Sequence, residues 1–380
     1  MMSKATEQTN TLVIGASAAG LATAACLKHE AIPFILLEQV EHVAAVWRRH
    51  YDRLHLHTNK ALSALPYLPM PGDYPKYPSR DQVVAYMETY TRHHGLQPRF
   101  GQQVTSVRRE NNRWITETQD TRYESAHVII ATGYTRQPNI PVFPGQEAFT
   151  GTILHSSQYH NGEPYRGQSV LVIGFGNSGG EIAIDLCEHG AQAAVSVRSP
   201  VNVIPRDVFG IPILSIGIAM ALLPPRLADV LAAPLMRVLI GDIEKWGLKK
   251  LPYGPNQQIR QDSQIPLLDI GTMKLIRAGK IQVFPGIERL TENGVRFTDG
   301  REAAFETIVM ATGYRPALAD FLAEVAQVTN HEGVPLVSGQ ESPLPGLYFC
   351  GFHVSPTGML REIGIEAKQI AAAIRAKPEG

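Results

Sequence analysis

Short apolar runs that stop at a glycine or a charged residue set the rhythm of this chain. The run TLVIG meets a small-residue stretch containing Gly15, Ser17, Ala18, Ala19 and Gly20, and VLVIG meets Gly174, Gly176, Asn177, Ser178 and Gly179. Each run predicts a buried strand, and each stretch after it predicts a tight turn that opens a helix. Two further runs close on Glu38 (FILLE) and Arg198 (AVSVR). Two near-identical ones end in Ala-Thr-Gly: VIIATGYTRQP (Val128 to Pro138) and IVMATGYRPAL (Ile308 to Leu318). The last run, LYFCG, reaches Gly351 and leads through a loop to a stretch whose regular apolar face starts at Met359 or Leu360, the pattern of a closing helix.

Strands alternating with helices predict an α/β chain, and two glycine fingerprints predict two Rossmann-like dinucleotide-binding domains. Such a turn lets backbone N–H groups and a helix N-terminus face a pyrophosphate. Two dinucleotides in one protein imply that one delivers a hydride to the other, hence a flavoprotein reduced by a nicotinamide. Glu38 is placed to accept hydrogen bonds from ribose hydroxyls, as an FAD site requires. Arg198 stands where an NAD site carries a carboxylate; its guanidinium pairs with a 2′-phosphate, so the second nucleotide reads as NADPH. That contact is worth about 1.5 to 3 kcal/mol, a preference over NADH of roughly tenfold to a hundredfold. The Ala-Thr-Gly phrases bracket the second fingerprint. The expected layout is therefore an NADPH-binding domain at 152–307 inserted into a discontinuous FAD-binding domain formed by 1–151 and 308–380, with the two phrases as crossings. Both cofactors then share one interdomain cleft. Gly351 lies beside the FAD pyrophosphate and ribityl chain in this layout, and the helix start at Met359 and Leu360 turns its positive end to the flavin pyrimidine.

The chain has 35 basic and 35 acidic residues among 380, leaving no net field to attract nucleic acid or anionic lipid, so a nucleic-acid partner drops out. The polar N-terminus MMSKATEQTN shows no apolar signal core, and a cytoplasmic protein is expected. Cys26, Cys187 and Cys350 form no C-x-x-C pair, which counts against a disulfide reductase. The most apolar tract, Phe209 to Leu223, is too short for a bilayer span and is broken by Pro212. It reads as buried helices capping a substrate cavity in preference to a membrane contact. A homodimer is one assembly the sequence allows.

Several motifs together resemble the class B flavin-containing monooxygenases, most closely their YUCCA-type branch and its bacterial relatives. Phe149-T-G-T-I-L-His155-S-S-Q-Tyr159-His160 resembles the family signature F-x-G-x-x-x-H-x-x-x-Y followed by Lys or Arg, from which His160 departs. Trp47 in VWRRHYDRLHLHTNK, GNSGGEIAIDL, VRSPVNVIPRDVFG, PLLDIGTMKLIRAGKI and both ATGY phrases extend the likeness over nearly the whole chain. Ser17 replaces the usual middle glycine of the first fingerprint.

The resemblance implies that NADPH reduces FAD and that O2 adds to give a C4a-(hydro)peroxyflavin. One oxygen atom then passes to a small organic substrate and the other leaves as water. It makes Val46 and Trp47 flavin neighbours and sets Asn177 and Ser178 near the nicotinamide. Asn177 is either an amide donor to the reacting oxygen or a helix cap. His57 aligns with an active-site position of the family and shares a strand face with His55, although a lone histidine is more often structural. The YUCCA-like motifs suggest oxidative decarboxylation of a 2-oxo acid such as indole-3-pyruvate. N- or S-oxygenation, Baeyer–Villiger oxidation, and an NADPH oxidase or electron-transfer flavoprotein without substrate oxygenation stand as alternatives.

Overall fold

The computed structural model describes residues 4–220, 223–262, 264–355 and 357–377. Strands β1 (Ala5–Ile14), β2 (Phe34–Leu37), β3 (Ser106–Glu110), β4 (Arg113–Glu117) and β5 (Thr121–Ile130) form a first sheet in the order β2-β1-β5-β4-β3. β1 runs parallel to β2 and β5, while β3 and β4 are antiparallel. Helix α1 (Ala18–His29) follows β1 and is buried from Ala18 to Leu27, which its run of small residues permits. The short α2 (Ala45–Arg48) and α3 (Arg80–His93) complete this part; α3 opens on a capping box between Ser79 and Gln82.

A second, all-parallel sheet contains β6 (Thr152–His155), β7 (Ser169–Ile173), β8 (Gln192–Ser196), β9 (Ile281–Phe284) and β10 (Thr307–Met310) in the order β9-β8-β7-β10-β6. Helix α4 (Asn177–Glu188) follows β7. The chain then runs through α5 (Ile213–Met220), α6 (Pro225–Leu239), α7 (Pro255–Asp262) and α8 (Thr272–Arg277) before returning to β9. A three-stranded antiparallel meander over 287–304 precedes β10. After α9 (Val325–Val328), strand β11 (Leu347–Phe349) rejoins the first sheet beside β5, and α10 (Met359–Arg375) packs on α1. Val128, Ile129, Ile130, Leu347, Tyr348 and Phe349 have no exposed surface, because strands covered on both faces need apolar side chains on both: α1, α3 and α10 cover one face, and Trp114, Leu318 and Phe321 pack on the other.

β10 continues to Met310 within the second sheet, so the return crossing lies at Ala311–Gly313, slightly after the boundary expected from the sequence. The outward and return crossings are tied together. Gln137–Pro138 pairs antiparallel with Tyr314–Arg315, Asn139 N–H donates to Gly313 O (2.9 Å), and Thr312 Oγ1 donates to Asn139 O (2.5 Å).

The apolar tract departs from expectation in one respect. α5 and α6 do face a cavity, yet they form a cover one helix thick rather than buried helices. Phe209, Val230 and Val238 are 87%, 67% and 82% exposed. A single layer has two faces, and the sequence here is apolar on both. Ala221 and Leu222 of the tract lie outside the described residues. No described helix is long and apolar enough to cross a membrane.

Candidate active site

The two fingerprint turns have the same local geometry. Gly15 and Gly174 sit at φ +103° and +107°, in the left-handed region that favours glycine. A Cβ on Gly15 would come within 2.9 Å of Ala131 O, and one on Gly174 within 2.4 Å of Ala311 O. The alanines of the Ala-Thr-Gly phrases are thus the floors of the two turns. Gly20 and Gly179 act behind them, since a Cβ there would meet the carbonyl oxygens of Gly15 and Gly174 at 1.7 and 2.2 Å. They let the helix lie close to its strand.

Ser17 and Gly176 are the N-cap residues of α1 and α4, and neither helix has a side-chain capping bond. The first-turn N–H groups therefore lack side-chain partners, and a Cβ at Gly176 would meet nothing within 4 Å. Uncapped helix starts beside open space fit phosphate groups. Glu38, buried at the end of β2, accepts from Ala16 N–H (2.8 Å) and Val40 N–H (3.3 Å) and lines a small hollow with Gly15, Ser17 and Val46. A carboxylate fixed in this way keeps lone pairs for ribose hydroxyls. Arg198 is exposed just beyond β8, its stem 3.2 Å from where Gly286 would carry a Cβ, and it has no ion pair among the described residues. That leaves its guanidinium available for a phosphate. The first helix start and Glu38 fit FAD, and the second helix start and Arg198 fit NADPH.

A cavity of about 790 Å³ runs between the two sheets. At one end its wall is Ser17, Ala18, Ala19, Val46, Trp47, Gly351, Met359 and Leu360; at the other it is Ile204, Ile213, Leu235, Met236, Ile259 and Leu268. His57 and Asn177 also line it. Gly174, Gly176, Ser178, Gly179 and Arg198 do not, so the cavity leaves the far end of the second fingerprint outside. Gly351 (φ +86°) is pressed against α1, where a Cβ would lie 3.0 Å from Ala19 Cβ, and its N–H donates to buried Glu366 (2.6 Å). Burial pushes the Glu366 carboxyl up. Among the described wall residues the imidazole and carboxylate side chains are those of His50, His55, His57 and Asp229, with no lysine or arginine. Burial, then Arg49 and Arg80, pull His50 down to about 4, which leaves it neutral against Trp47 and Tyr51.

Asn177 is not the cap of α4. Its Oδ1 accepts from Leu268 N–H (2.8 Å), so the amide Nδ2 is the end without a partner among the described residues. His57 Nε2 bonds the carboxylate of Glu181, four residues along α4 from Asn177. The sequence gives Glu181 no separate role because it reads as one more helical position in GNSGGEIAIDL. The available signal is the i, i+4 spacing, which puts it on the face of Asn177.

Of the signature residues, His155 ties the return crossing, while Tyr159 and Phe149 pack within the second unit. His155 bonds Gly313 O through Nε2 and Ser157 Oγ through Nδ1, both at 3.0 Å, and burial lowers its pKa. Tyr159 donates to buried Asp185 at 2.6 Å, and the Phe149 ring lies where Gly151 would carry a Cβ. None of the three lines the cavity.

The chain is similar to several known proteins. The profile of a family described as flavin-binding monooxygenase-like matches residues 8–338. The indole-3-pyruvate monooxygenase YUCCA1 of Oryza sativa subsp. japonica is 40% identical over 355 residues, spanning 90% of this chain and 86% of that one. The indole-3-pyruvate monooxygenase YUCCA6 of Arabidopsis thaliana is 37% identical over 90% of this chain and 85% of its own. Among solved structures, a flavin-containing monooxygenase from Stenotrophomonas maltophilia superposes with a TM-score of 0.75 at 22% identity, covering 97% of this chain and 99% of that one. A bacillithiol disulfide reductase from Staphylococcus aureus superposes with a TM-score of 0.71 at 19% identity, covering 98% and 100%. At these identities the structures share the fold, which by itself does not select the chemistry.

Proposed function

This chain belongs to the flavin-binding monooxygenase-like family, and we propose that it uses NADPH and O2 to oxygenate a small organic substrate, in the finer reading a 2-oxo acid such as indole-3-pyruvate, which it decarboxylates. In this reading the chain before 152 with the chain after the return crossing at 311–313 holds FAD, and the unit between them holds NADPH. The observation that carries it is the cavity continuous from Val46, Trp47 and Gly351 to the apolar cover, with Asn177 and His57 on its wall. FAD, when bound, supplies hydride acceptance and the activation of O2.

The chain's own residues do the rest. The apolar wall excludes water, which would otherwise divert reducing equivalents into hydrogen peroxide. Asn177 Nδ2 offers a fixed donor where negative charge develops on oxygen. His57 offers a ring nitrogen that takes up or returns a proton. The balance for the 2-oxo acid is one acid, one O2, one NADPH and one proton, giving the shortened carboxylic acid, CO2, water and NADP+. The YUCCA relatives named for indole-3-pyruvate support the decarboxylative reading. A second reading, oxygenation of a neutral ketone or thioether, is favoured by the absence of lysine and arginine from the described wall.

One experiment separates these. NADPH and 18O2 are supplied with indole-3-pyruvate, phenylpyruvate, trimethylamine, a thioether or a cyclic ketone, and products are identified by mass spectrometry. Indole-3-acetate carrying one 18O atom is expected, with CO2 released. Labelled sulfoxide or lactone in its place would support the second reading, and NADPH consumption that yields only hydrogen peroxide would overturn both.

A further inference from the structure

Residues 54–58 form a wall segment that makes a single antiparallel bridge, His55 opposite Ser79, and then bends at His57 and Thr58; Leu56 N–H donates to Pro78 O (2.8 Å) and Arg80 N–H to Leu54 O (2.7 Å). His55 is tied locally through Nδ1 to Arg53 O (2.7 Å), but His57 reaches out of its own sheet unit. Its Nε2 meets the Glu181 carboxylate on α4, with side-chain exposures of 15% for His57 and 3% for Glu181. The other titratable groups packed here are Tyr51, which is buried, and Arg53, whose guanidinium pairs with Glu188 farther along α4. Burial first, and then the charge of Glu181, push the Tyr51 phenol well up, so it stays uncharged beside the pair. Hydrogen bonding to Glu181 among the described residues comes from His57 alone.

We infer that Glu181 is a positioning residue for His57. The carboxylate accepts the Nε2 proton bond, fixes the imidazole on the cavity wall and leaves Nδ1, which has no partner among the described residues, as the nitrogen presented to the cavity. Asn177 and Glu181 lie one turn apart on α4, so one helix carries both the free amide and the orienter of the histidine. That helix is also the one whose uncapped start fits the nicotinamide nucleotide. Occupancy of the nucleotide site and the orientation of His57 are therefore coupled, and the coupling is reciprocal. This inference rests on the functional reading above for the identity of the nucleotide, but the contact itself does not.

The test uses holoenzyme labelled with 15N at its histidine rings, with His57→Asn identifying the His57 signals. In the unaltered protein His57 Nε2 is expected as a protonated, hydrogen-bonded nitrogen. Glu181→Ala should shift the His57 ring signals, and Glu181→Gln, whose amide oxygen still accepts, should largely restore them. In parallel, NADP+ is titrated against flavin absorbance. Glu181→Ala is expected to weaken its affinity about fivefold or more, and to add nothing further in the His57→Asn background. FAD content and melting temperature follow folding, and Glu181→Gln keeps the test intact should Glu181→Ala fail to fold. Unmoved His57 signals, or effects of the two substitutions on NADP+ affinity that simply add, would overturn the inference. If the His57 signals respond while NADPH is never oxidised, the contact stands and the functional reading falls.

Discussion

At the scale of single residues, Arg198 and His50 make the sharpest demands. Arg198 has no acidic partner among the described residues, so its charge is free for a 2′-phosphate. Arg198→Ala should lower the ratio of kcat/KM for NADPH to that for NADH by roughly tenfold to a hundredfold, through KM for NADPH. An equal change for both nucleotides would remove the assignment. His50 titrates near 4 in the folded chain against 6.5 as its ordinary value, because burial and then Arg49 and Arg80 disfavour its charged form. The unfolded chain binds that proton more readily, so the contribution of neutral His50 is intact above about pH 6.5. It is lost as pH falls through 4, by up to about 3 kcal/mol. Denaturant melts of His50→Gln should show a shallower loss of stability over that window than the unaltered protein; identical slopes would show that other groups set the acid limb. Fingerprint residues such as Gly15, Glu38 and Gly174 were legible in the sequence because steric and charge demands restrict what can stand there. Glu181 and Glu366 were not, since a buried carboxylate on a helix takes its meaning from a partner more than a hundred positions away or from a glycine N–H that only the folded chain brings near.

Elements were legible where their pattern was internal. β7, β10 and the C-terminal ends of β1 and β5 appear in the sequence as apolar runs because they are covered on both faces. The cover helices were harder: α6 contains Pro234 and exposes Val230 and Val238, so its apolar positions mark no single buried face. What fixes α6 is polar. Asp229 accepts from Asn256 N–H (3.0 Å), Asn256 Nδ2 (2.9 Å) and Gln257 N–H (3.0 Å), so that a carboxylate on α6 caps the start of α7. Asp229→Ala should cost about 1 to 2 kcal/mol locally. Hydrogen exchange across 225–262 should accelerate, with KM for an apolar substrate raised and FAD content unchanged. Unaltered exchange in that segment would show that the cap does not hold the cover.

For the whole molecule, the question is whether the two sheet units behave as one body. The repeated Ala-Thr-Gly phrase identified the crossings, because its alanines must pass beneath the fingerprint glycines in both units. It could not show how the units are fastened. Besides the paired crossings, Asp52 N–H donates to His160 O (2.8 Å), Asn161 Nδ2 donates to Asp52 Oδ2 (2.8 Å), and α4 reaches the 51–58 segment through Glu181 to His57 and Glu188 to Arg53. Exposed pairs such as Arg53 with Glu188 contribute at most about 1 kcal/mol each. Their number matters less than their placement: those made by α4 all fall on the 51–58 stretch, while Lys76 and Tyr77 reach Asp207 separately. Stabilising the start of α4 with a nucleotide should therefore slow opening of that stretch as well. Hydrogen exchange with and without NADP+ should show protection at 174–181 and also at 51–58, whereas β3 and β4, remote from these contacts, exchange as before. Protection confined to 174–181 would mean that the units open independently and that the cavity between them is assembled by FAD alone.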